Sequence, residues 1–399
     1  MNKKLIALAV AGALTAPMAA AADSANVTIY GQMHYSWDFV DTNQAAGDSS
    51  DDATGVSRAS RVGFKGDEDL GNGLKAVWQV ETQIDGTLGN RNTFVGLAGN
   101  WGTLVAGRHD TPYKIATGSL DPFSDTVGDY NNIIGSLPTT VGGAANTLFD
   151  ERAPQTVAYI TPNFNGFTGA IARVSTKLDE GVADETQAWS MMGMYQNGPF
   201  FASLAYETYD DGLRALNGLG FGAPNTTGTD SNSDAWKLGL GYTFGNTKVG
   251  FVYENVSSSD FVPSPVDGVR GINATTTLDP SRDAWYLSLA HSFGNNTLKF
   301  AYGNAQNSDS TTCTEAAAAA ANVAFTCATV DANNGADMWA LGIDHDFSKR
   351  TKVYAMYAAI NNDNGGRYGL NSGNDVAGQY RPAAGDDADA FSVGIVHKF

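Results

Sequence analysis

Four stretches in the C-terminal half of this chain repeat one pattern, in which two aromatic residues stand eight positions apart. The copies run from Trp236 to Phe244, from Trp285 to Phe293, from Trp339 to Phe347 and from Phe391 to Phe399. Because eight is an even number, both aromatic residues of a copy lie on one face of a β-strand. Every second residue between them is apolar or interfacial, and the opposite face is small or polar. The pattern predicts amphipathic strands.

The length of the apolar face matches the interior of a membrane. At about 3.3 Å per residue, eight residues span roughly 26 Å, and a strand tilt of about 40° leaves roughly 20 Å of height. This height is close to that of an outer-membrane hydrocarbon band bounded by two aromatic girdles. A strand of a soluble β-sandwich also alternates, but aromatic residues at both ends of four copies favour contact with lipid.

The N-terminus predicts export. Lys3 and Lys4 precede an apolar run over residues 5–13, and small residues follow to Ala22, as in a secretory signal peptide over residues 1–22. No later stretch approaches the about 18 apolar residues of a transmembrane helix. An exported chain that spans a membrane must then form a closed barrel, because an open sheet edge in lipid leaves backbone groups unpaired. Residues 23–399 contain no linker or shift in composition, so we expect a single barrel domain.

Composition excludes some partners. The chain has 24 basic and 42 acidic residues and a formal net charge of −18, which disfavours nucleic acid as a partner. The 46 glycines and the low charged fraction of 17% suit a β protein with many turns. We found no motif for a metal site or a cofactor, and we expect neither.

The only two cysteines, Cys313 and Cys327, stand in a polar, alanine-rich stretch with 13 residues between them. A metal site would need further cysteine or histidine ligands nearby, and none is present. In an oxidising compartment, two such cysteines are expected to form a disulfide bond within a loop.

Long and short connections alternate along the chain. Eight longer polar stretches and seven short turns require sixteen strands, and both chain ends then lie on the side of the short turns. The first and last strands can therefore pair and close the sheet. We place strand two from about Ser57 to Glu68, after a loop near residues 41–56, and the third loop near 112–151. The predicted fold is an all-β, 16-stranded antiparallel transmembrane β-barrel.

Several motifs resemble one known family. The stretch from Ser60 to Ala76 resembles the second-to-third strand signature of Gram-negative general-diffusion porins, and Tyr30-Gly31, Gly107-Arg108, Tyr159 to Phe167 and the terminal Phe399 resemble the same family at the same relative places. The resemblance covers essentially all of the chain after the signal peptide. It implies an outer-membrane channel that passes ions and small hydrophilic solutes through a water-filled pore.

The resemblance also implies partners and a constriction. The family forms homotrimers in outer-membrane lipid and lipopolysaccharide, its third loop folds into the barrel, and its assembly machinery reads the C-terminal aromatic strand, which makes Phe399 the expected assembly signal. Family members place arginines on one wall of the pore opposite acidic groups on the inward loop. The corresponding basic residues are Arg61, Arg91, Arg108 and Arg152, and the candidate acids are Asp121, Asp125 and Asp129. Opposed charges in a narrow pore select solutes by charge and size without chemistry, so we expect no enzymatic activity.

Three alternatives to a general-diffusion channel are an enzyme, a substrate-specific channel and a structural or adhesive barrel. His34, Ser36 and Asp38 alternate on the lumen face of strand one, but residues two apart on a strand lie about 6.6 Å apart, which is too far for a catalytic relay. A substrate-specific channel would use an inward row of aromatic residues, for which Tyr286 and Tyr354 are the candidates. A structural or adhesive barrel would fill its lumen.

Overall fold

The structure is a computed structural model that describes residues 26–42, 53–84, 91–137, 146–147, 149–176, 186–210, 232–258, 275–315, 325–331, 333–371, 379–380 and 382–399. The predicted signal peptide over residues 1–22 lies outside these ranges. Within them, no helix has both the length and the apolar character needed to cross a bilayer.

Sixteen antiparallel strands form one closed sheet, as predicted. Each strand pairs with its sequence neighbours, and β1 also pairs with β16 to complete the ring. In chain order the barrel strands are β1 Asn26–Asp41, β2 Arg61–Gly71, β3 Leu74–Gln83, β4 Thr93–Gly99, β5 Gly102–Asp110, β6 Arg152–Ile160, β7 Phe167–Thr176, β8 Thr186–Asn197, β9 Phe200–Asp210, β10 Ser233–Phe244, β11 Thr247–Ser258, β12 Thr275–Phe293, β13 Asn296–Ala305, β14 Ala336–Asp346, β15 Thr351–Asn362 and β16 Ala388–Lys398.

The barrel closes at the two ends of the chain. The first part of β1 pairs with β2, and the rest of β1, from Gln32 to Asp41, pairs with β16. Gly31 and Phe399 exchange two backbone hydrogen bonds of 3.0 and 3.1 Å. A Cβ atom at Gly31 would lie 2.6 Å from the Phe399 ring, so glycine is what allows the ring to cover this seam. The backbone at this seam is therefore paired, which a strand in lipid requires.

The four repeats are β10, β12, β14 and β16, and their two faces lie as the alternation predicts. Trp236 and Phe244 on the outer face of β10 are 38% and 53% exposed, whereas Lys237 on the inner face is fully buried. Apolar residues on the outside and polar residues inside are the reverse of a soluble protein, so the outer face is a surface for lipid.

Strand two differs from its predicted bounds. The barrel strand begins at Arg61, and a short strand, Ala53–Ser57, pairs with the far half of β1 inside the region that we predicted as a loop. Between them, Arg58 turns into the barrel to meet Asp38, and Ala59 has a positive φ of 46°. The buried ion pair of Arg58 with Asp38 thus interrupts the alternation of side chains between the two strands, although the sequence pattern continues through this point.

Two more of the eight predicted polar stretches, near residues 258–281 and 308–335, contain strands. The strand β12 begins at Thr275, and the strands Asp309–Glu315 and Phe325–Asp331 form a hairpin that pairs with its first residues. Threonine favours strands, which is why these polar stretches are not irregular. Cys313 and Cys327 are direct partners in the register of this hairpin.

Candidate functional site

The third loop, residues 111–151, enters the barrel after β5. A short helix, α1 Pro112–Thr117, starts it, and the Thr111 side chain caps α1 by accepting a hydrogen bond from the Lys114 backbone N–H. Single 3₁₀ turns follow at Gly118–Leu120 and Tyr130–Asn132. Most of the described apolar side chains of the loop are almost fully buried, among them Tyr113, Leu120, Phe123, Val127, Tyr130, Ile133 and Ile134. The loop therefore has its own core, which it shares with the inner wall of the barrel.

Glycines on the barrel wall make room for this loop. A Cβ atom at Gly239 would lie 2.9 Å from a methyl group of Leu120, and one at Gly303 would lie 2.3 Å from the Ile133 side chain. At Gly250, a Cβ atom would lie 3.1 Å from the backbone oxygen of Leu120. These glycines on the inner faces of β10, β11 and β13 thus form the surface on which the third loop packs, which we call its seat.

This packing predicts the effect of placing a larger side chain at one of these glycines. We expect Gly250→Val to push Leu120 away from the wall toward the open lumen and to lower single-channel conductance, because the valine methyl groups need space that the loop backbone occupies. Gly193→Val is the control, since a Cβ atom there meets only the Phe167 ring at 3.5 Å. Equal conductance of the two variants in planar bilayers would contradict this account of the loop's seat.

A single carboxylate binds both the first part of the loop, at Tyr113, and its later part, at Gly135. We call these two parts the arms of the loop. Glu254 on β11 accepts hydrogen bonds from the Tyr113 hydroxyl at 2.9 Å and from the Gly135 backbone N–H at 2.8 Å. Arg282 on β12 donates to the same carboxylate at 2.8 Å and to the carbonyl of Ile133 at 2.5 Å. Glu254 and Arg282 are both fully buried, so their charges are compensated by each other and by the loop.

A second ion pair fixes the end of the loop. Lys237 on β10 forms a buried ion pair with Asp150, and the Lys114 ammonium donates to the Asp150 carbonyl at 2.5 Å. Burial alone would raise the pKa of Asp150, but the positive charges of Lys237 and Lys114 lower it below its ordinary value. The Asp150 carboxylate also accepts from the Tyr130 hydroxyl at 2.6 Å, which ties the middle of the loop to its end.

Two of the three candidate acids stabilise the loop itself. Asp121 accepts hydrogen bonds from the backbone of Phe123 and Tyr130 and, at 2.8 Å, from the Tyr286 hydroxyl. Asp129 accepts from the backbone N–H groups of Asp125 and Asn131. Burial raises the pKa of Asp121 to about 6, and burial together with the nearby Asp121 charge raises the pKa of Asp129 to about 8. Neither carboxylate forms an ion pair with an arginine among the described residues.

Asp125 is the acid that reaches the basic wall. It stands at a positive φ of 61°, which turns its side chain away from the loop core, and the side chain is 38% exposed. Its carboxylate lies 3.7 Å from the guanidinium of Arg61 on β2. This pair joins the loop to the opposite wall across the lumen.

The four predicted arginines lie close together on that wall. Arg61 and Arg91 share the carboxylate of Glu81, at 4.0 and 2.5 Å. Arg152 forms an ion pair of 2.9 Å with Asp110, and Arg108 donates to the backbone carbonyl of Arg152 at 3.3 Å. Residues from β2, β5 and β6, together with one from the connection before β4, thus form one basic surface, which we call the arginine wall.

Glu81 and Asp110 were not among the predicted site residues. The alternation of β3 places Glu81 on the lumen side. Asp110 follows an irregularity in the pairing of β5 between Gly107 and His109, before which the even-numbered Leu104 lies on the outer face. Strand parity alone could therefore predict the position of Glu81 but not that of Asp110. The pairing of either acid with a particular arginine depends on neighbouring strands, and strand parity does not predict it.

The histidine, serine and aspartate of β1 do not form a relay. His34 contacts the Tyr354 hydroxyl through Nε2 at 3.0 Å, and Ser36 accepts a hydrogen bond of 2.7 Å from Arg58. Asp38 forms an ion pair with Arg58 and accepts from Ser392 at 2.7 Å. The three side chains are structural partners of other groups.

Tyr286 and Tyr354, the candidates for an aromatic row, are 0% and 4% exposed. Tyr286 lies under the third loop and Tyr354 against His34, at 5.6 Å between ring centroids. Buried rings of this kind offer no sliding surface to a solute.

A second loop also enters the barrel, which the sequence did not predict. In the connection between β15 and β16, Tyr368 and Leu370 are fully buried, and Tyr368 lies beside Arg282. Arg58 donates to the backbone carbonyl of Asn371 at 3.1 Å, and Tyr380 donates to Asp38 at 3.1 Å. This connection is polar and glycine-rich in sequence, so only its partners on the wall identify it as an inward loop.

Comparison with known proteins agrees with this geometry. The sequence model of the Gram-negative porin family matches residues 7–365. Outer membrane porin protein 32 of Delftia acidovorans is 35% identical over 268 residues, which cover 62% of this chain and 68% of that protein. Major outer membrane protein P.IB of Neisseria meningitidis serogroup B is 33% identical over 232 residues, or 54% of this chain. The chain spans only 62% of the length of that relative.

A solved structure gives the same result for the whole fold. The anion-selective porin from Comamonas acidovorans superposes with a TM-score of 0.69 at 25% identity, over 94% of this chain and all of that one. The chain therefore belongs to the Gram-negative porin family of outer-membrane barrels.

Proposed function

We propose that the protein forms a water-filled channel through which ions and small hydrophilic solutes diffuse passively. The observation that carries the proposal is the arginine wall facing Asp125 on a loop fixed inside a closed sixteen-stranded barrel. Opposed charges across a narrow lumen create a transverse field that orients dipolar solutes, and the gap between loop and wall limits their size. Transport of this kind needs no covalent step and no cofactor.

We propose further that the channel prefers anions. Lys352 extends the positive lining beyond the arginine wall, because it lies on the lumen side, beside the Asp344 carboxylate that the buried Lys299 also contacts. The similarity to a porin described as anion-selective supports the same sign. The net charge of −18 describes the whole chain and does not describe the lumen.

Planar-bilayer recording tests both statements. Purified protein should insert as open channels, and in a salt gradient its reversal potential should have the sign of an anion-selective pore. Absence of channels from folded protein would overturn the diffusion proposal. Channels with a cation-selective reversal potential would overturn only the proposed sign.

We propose that the assembled form is a homotrimer in outer-membrane lipid and lipopolysaccharide. Membership of the family supports this assembly. The mass of the protein in detergent, measured by light scattering with the detergent contribution subtracted, should be three times that of the chain. A mass of one chain would contradict the proposal.

We propose that Phe399 is the signal read by the assembly machinery. Its ring is 43% exposed, so it is accessible as well as placed over the seam at Gly31. Deletion of Phe399 should reduce the amount of heat-resistant barrel in the outer membrane of cells. If the deleted form refolds in detergent at the same rate as the intact chain, the defect lies in assembly and not in the stability of the seam.

We propose a disulfide bond between Cys313 and Cys327. Direct partners in an antiparallel register have Cα atoms about 4.5 to 5.5 Å apart, which is within the range that a disulfide requires. Mass spectrometry of peptides cut from the unreduced protein should find the two cysteines linked. Two peptides that are each alkylated without reduction would contradict it.

A further inference from the structure

Three histidines recur at one position of the repeated strands and have no part in the proposed channel. His291 on β12, His345 on β14 and His397 on β16 each stand two residues before the last aromatic residue of their copy. They lie on the outer face, next to the short turns, and none of them is buried. Short turns mark the periplasmic side of an outer-membrane barrel, so the histidines lie in the periplasmic aromatic girdle.

The strand register places the three histidines at one depth in the membrane. On β13, Leu298 is the partner of His291 and Asn296 is the partner of His345, which is an offset of two residues. The same offset recurs on β15, where Val353 faces His345 and Thr351 faces His397. In a barrel of tilted strands, neighbouring strands are shifted along one another by a constant number of residues. Equivalent positions of the repeats therefore lie at the same depth in the membrane. We call these three residues the histidine row.

In each histidine of the row, one ring nitrogen contacts a side chain of the neighbouring strand. The Nδ1 atoms of His291 and His397 lie 2.8 and 2.9 Å from the hydroxyl groups of Thr247 and Thr351. The Nδ1 atom of His345 lies 2.8 Å from the side-chain oxygen of Asn296. Because these contacts use Nδ1, the second ring nitrogen, Nε2, is the atom with which each histidine can bind a group in the membrane.

The surroundings favour an anionic group. The exposed Lys349 and Arg350 form the turn after β14, directly below His345 and Phe347. Imidazole donates hydrogen bonds and can carry a positive charge near neutral pH. At the boundary between hydrocarbon and water, the acceptors at this depth are the phosphates of lipid headgroups.

We propose that the histidine row binds phosphate groups of phospholipids in the periplasmic leaflet, with a preference for headgroups of net negative charge. Neighbouring histidines are separated by one intervening strand, or roughly 10 Å across the sheet, so each can meet a separate lipid. Basic residues near a membrane attract anionic lipids, and the cationic turn adds to this attraction.

Native mass spectrometry from micelles that contain phosphatidylglycerol or phosphatidylcholine tests the proposal. We expect the wild type to retain phosphatidylglycerol in preference. Replacing each histidine by tyrosine should raise the apparent dissociation constant for phosphatidylglycerol about fivefold, as expected when a basic group at the membrane surface is replaced by a neutral one. Tyrosine is the conservative choice because Tyr242 on β10 holds the corresponding position of the first copy.

Two controls keep the test specific. Tyr242→Phe alters the girdle at the same depth without removing a basic group, and it should leave phosphatidylglycerol retention unchanged. The variant with all three histidines replaced should conduct like the wild type, since the row lies outside the lumen. Equal retention of the two lipids by the wild type, or unchanged retention by the triple variant, would overturn the proposal without affecting the proposed channel.

Discussion

Replacing Arg61 and Arg108 together by alanine should move the reversal potential of the channel strongly toward that of a cation-selective pore. Arg61 forms the only described ion pair of Asp125 with the arginine wall, at 3.7 Å, so its loss leaves the Asp125 charge facing the lumen. Arg108 donates to a neutral carbonyl, so its loss removes a positive charge that this bond does not neutralise. In water, a unit charge at about 4 Å contributes about 1 kcal/mol to the energy of a permeating ion, or roughly a fivefold change in its partition.

Arg173→Ala is the matched control for this experiment. Arg173 on β7 lies over the ring of Trp189, at 4.8 Å, on the outer side of the barrel, so the variant removes an arginine charge without changing the lumen. Its reversal potential should equal that of the wild type. The double variant should also conduct more current, because two large side chains are removed from the arginine wall. A double variant that keeps the wild-type reversal potential would show that the arginine wall does not line the path of the ions.

Replacing Glu254 by alanine should release the third loop from the wall. The change removes the acceptor shared by Tyr113, Gly135 and Arg282, and it leaves the Arg282 charge buried without its carboxylate. Breaking a buried ion pair by removal of one partner costs about 3–5 kcal/mol. We expect a lower thermal unfolding midpoint, a noisy and altered single-channel conductance, and new protease cleavage between residues 113 and 135.

Asp283→Asn tests whether these effects come from the loop. Asp283 lies on the neighbouring strand and accepts a hydrogen bond of 2.7 Å from Asn255, with no contact to the third loop among the described residues. This variant should keep the protease resistance and the conductance of the wild type. If Glu254→Ala also keeps both, the loop is held by its apolar packing alone, and the buried charges are not what secures it.

Alternation along the strands was sufficient to predict most of the barrel. Aromatic and apolar residues at every second position of β10, β12, β14 and β16 determined which face meets lipid, because side chains alternate across a strand regardless of its neighbours. The counting of turns determined the number of strands. Local pattern failed at Arg58, where a partner distant in sequence interrupts the strand, and at Thr275, where β-branched residues extend one.

The site was only partly predictable. Motif likeness identified Arg61, Arg91, Arg108 and Arg152. In the structure Arg61 and Arg91 share the carboxylate of Glu81, and Arg108 lies beside Arg152. It could not distinguish Asp125 from Asp121 and Asp129, because the three acids stand in one short acidic stretch. Their roles differ because two of them accept backbone hydrogen bonds within the loop, whereas the left-handed conformation of Asp125 turns it outward.

By itself, the sequence determined the class of fold, the lipid-facing surface and the wall that carries the arginines, since each depends on a periodic pattern or on a local motif. Only the tertiary structure decided which loops enter the lumen and which contacts hold them there. The seat formed by Gly239, Gly250 and Gly303, the hold of Glu254 on both arms of the third loop, and the second inward loop with Tyr368 all depend on contacts between residues far apart in the chain. Such contacts leave no period in the sequence, because each is made once, between surfaces that meet only after the barrel has closed.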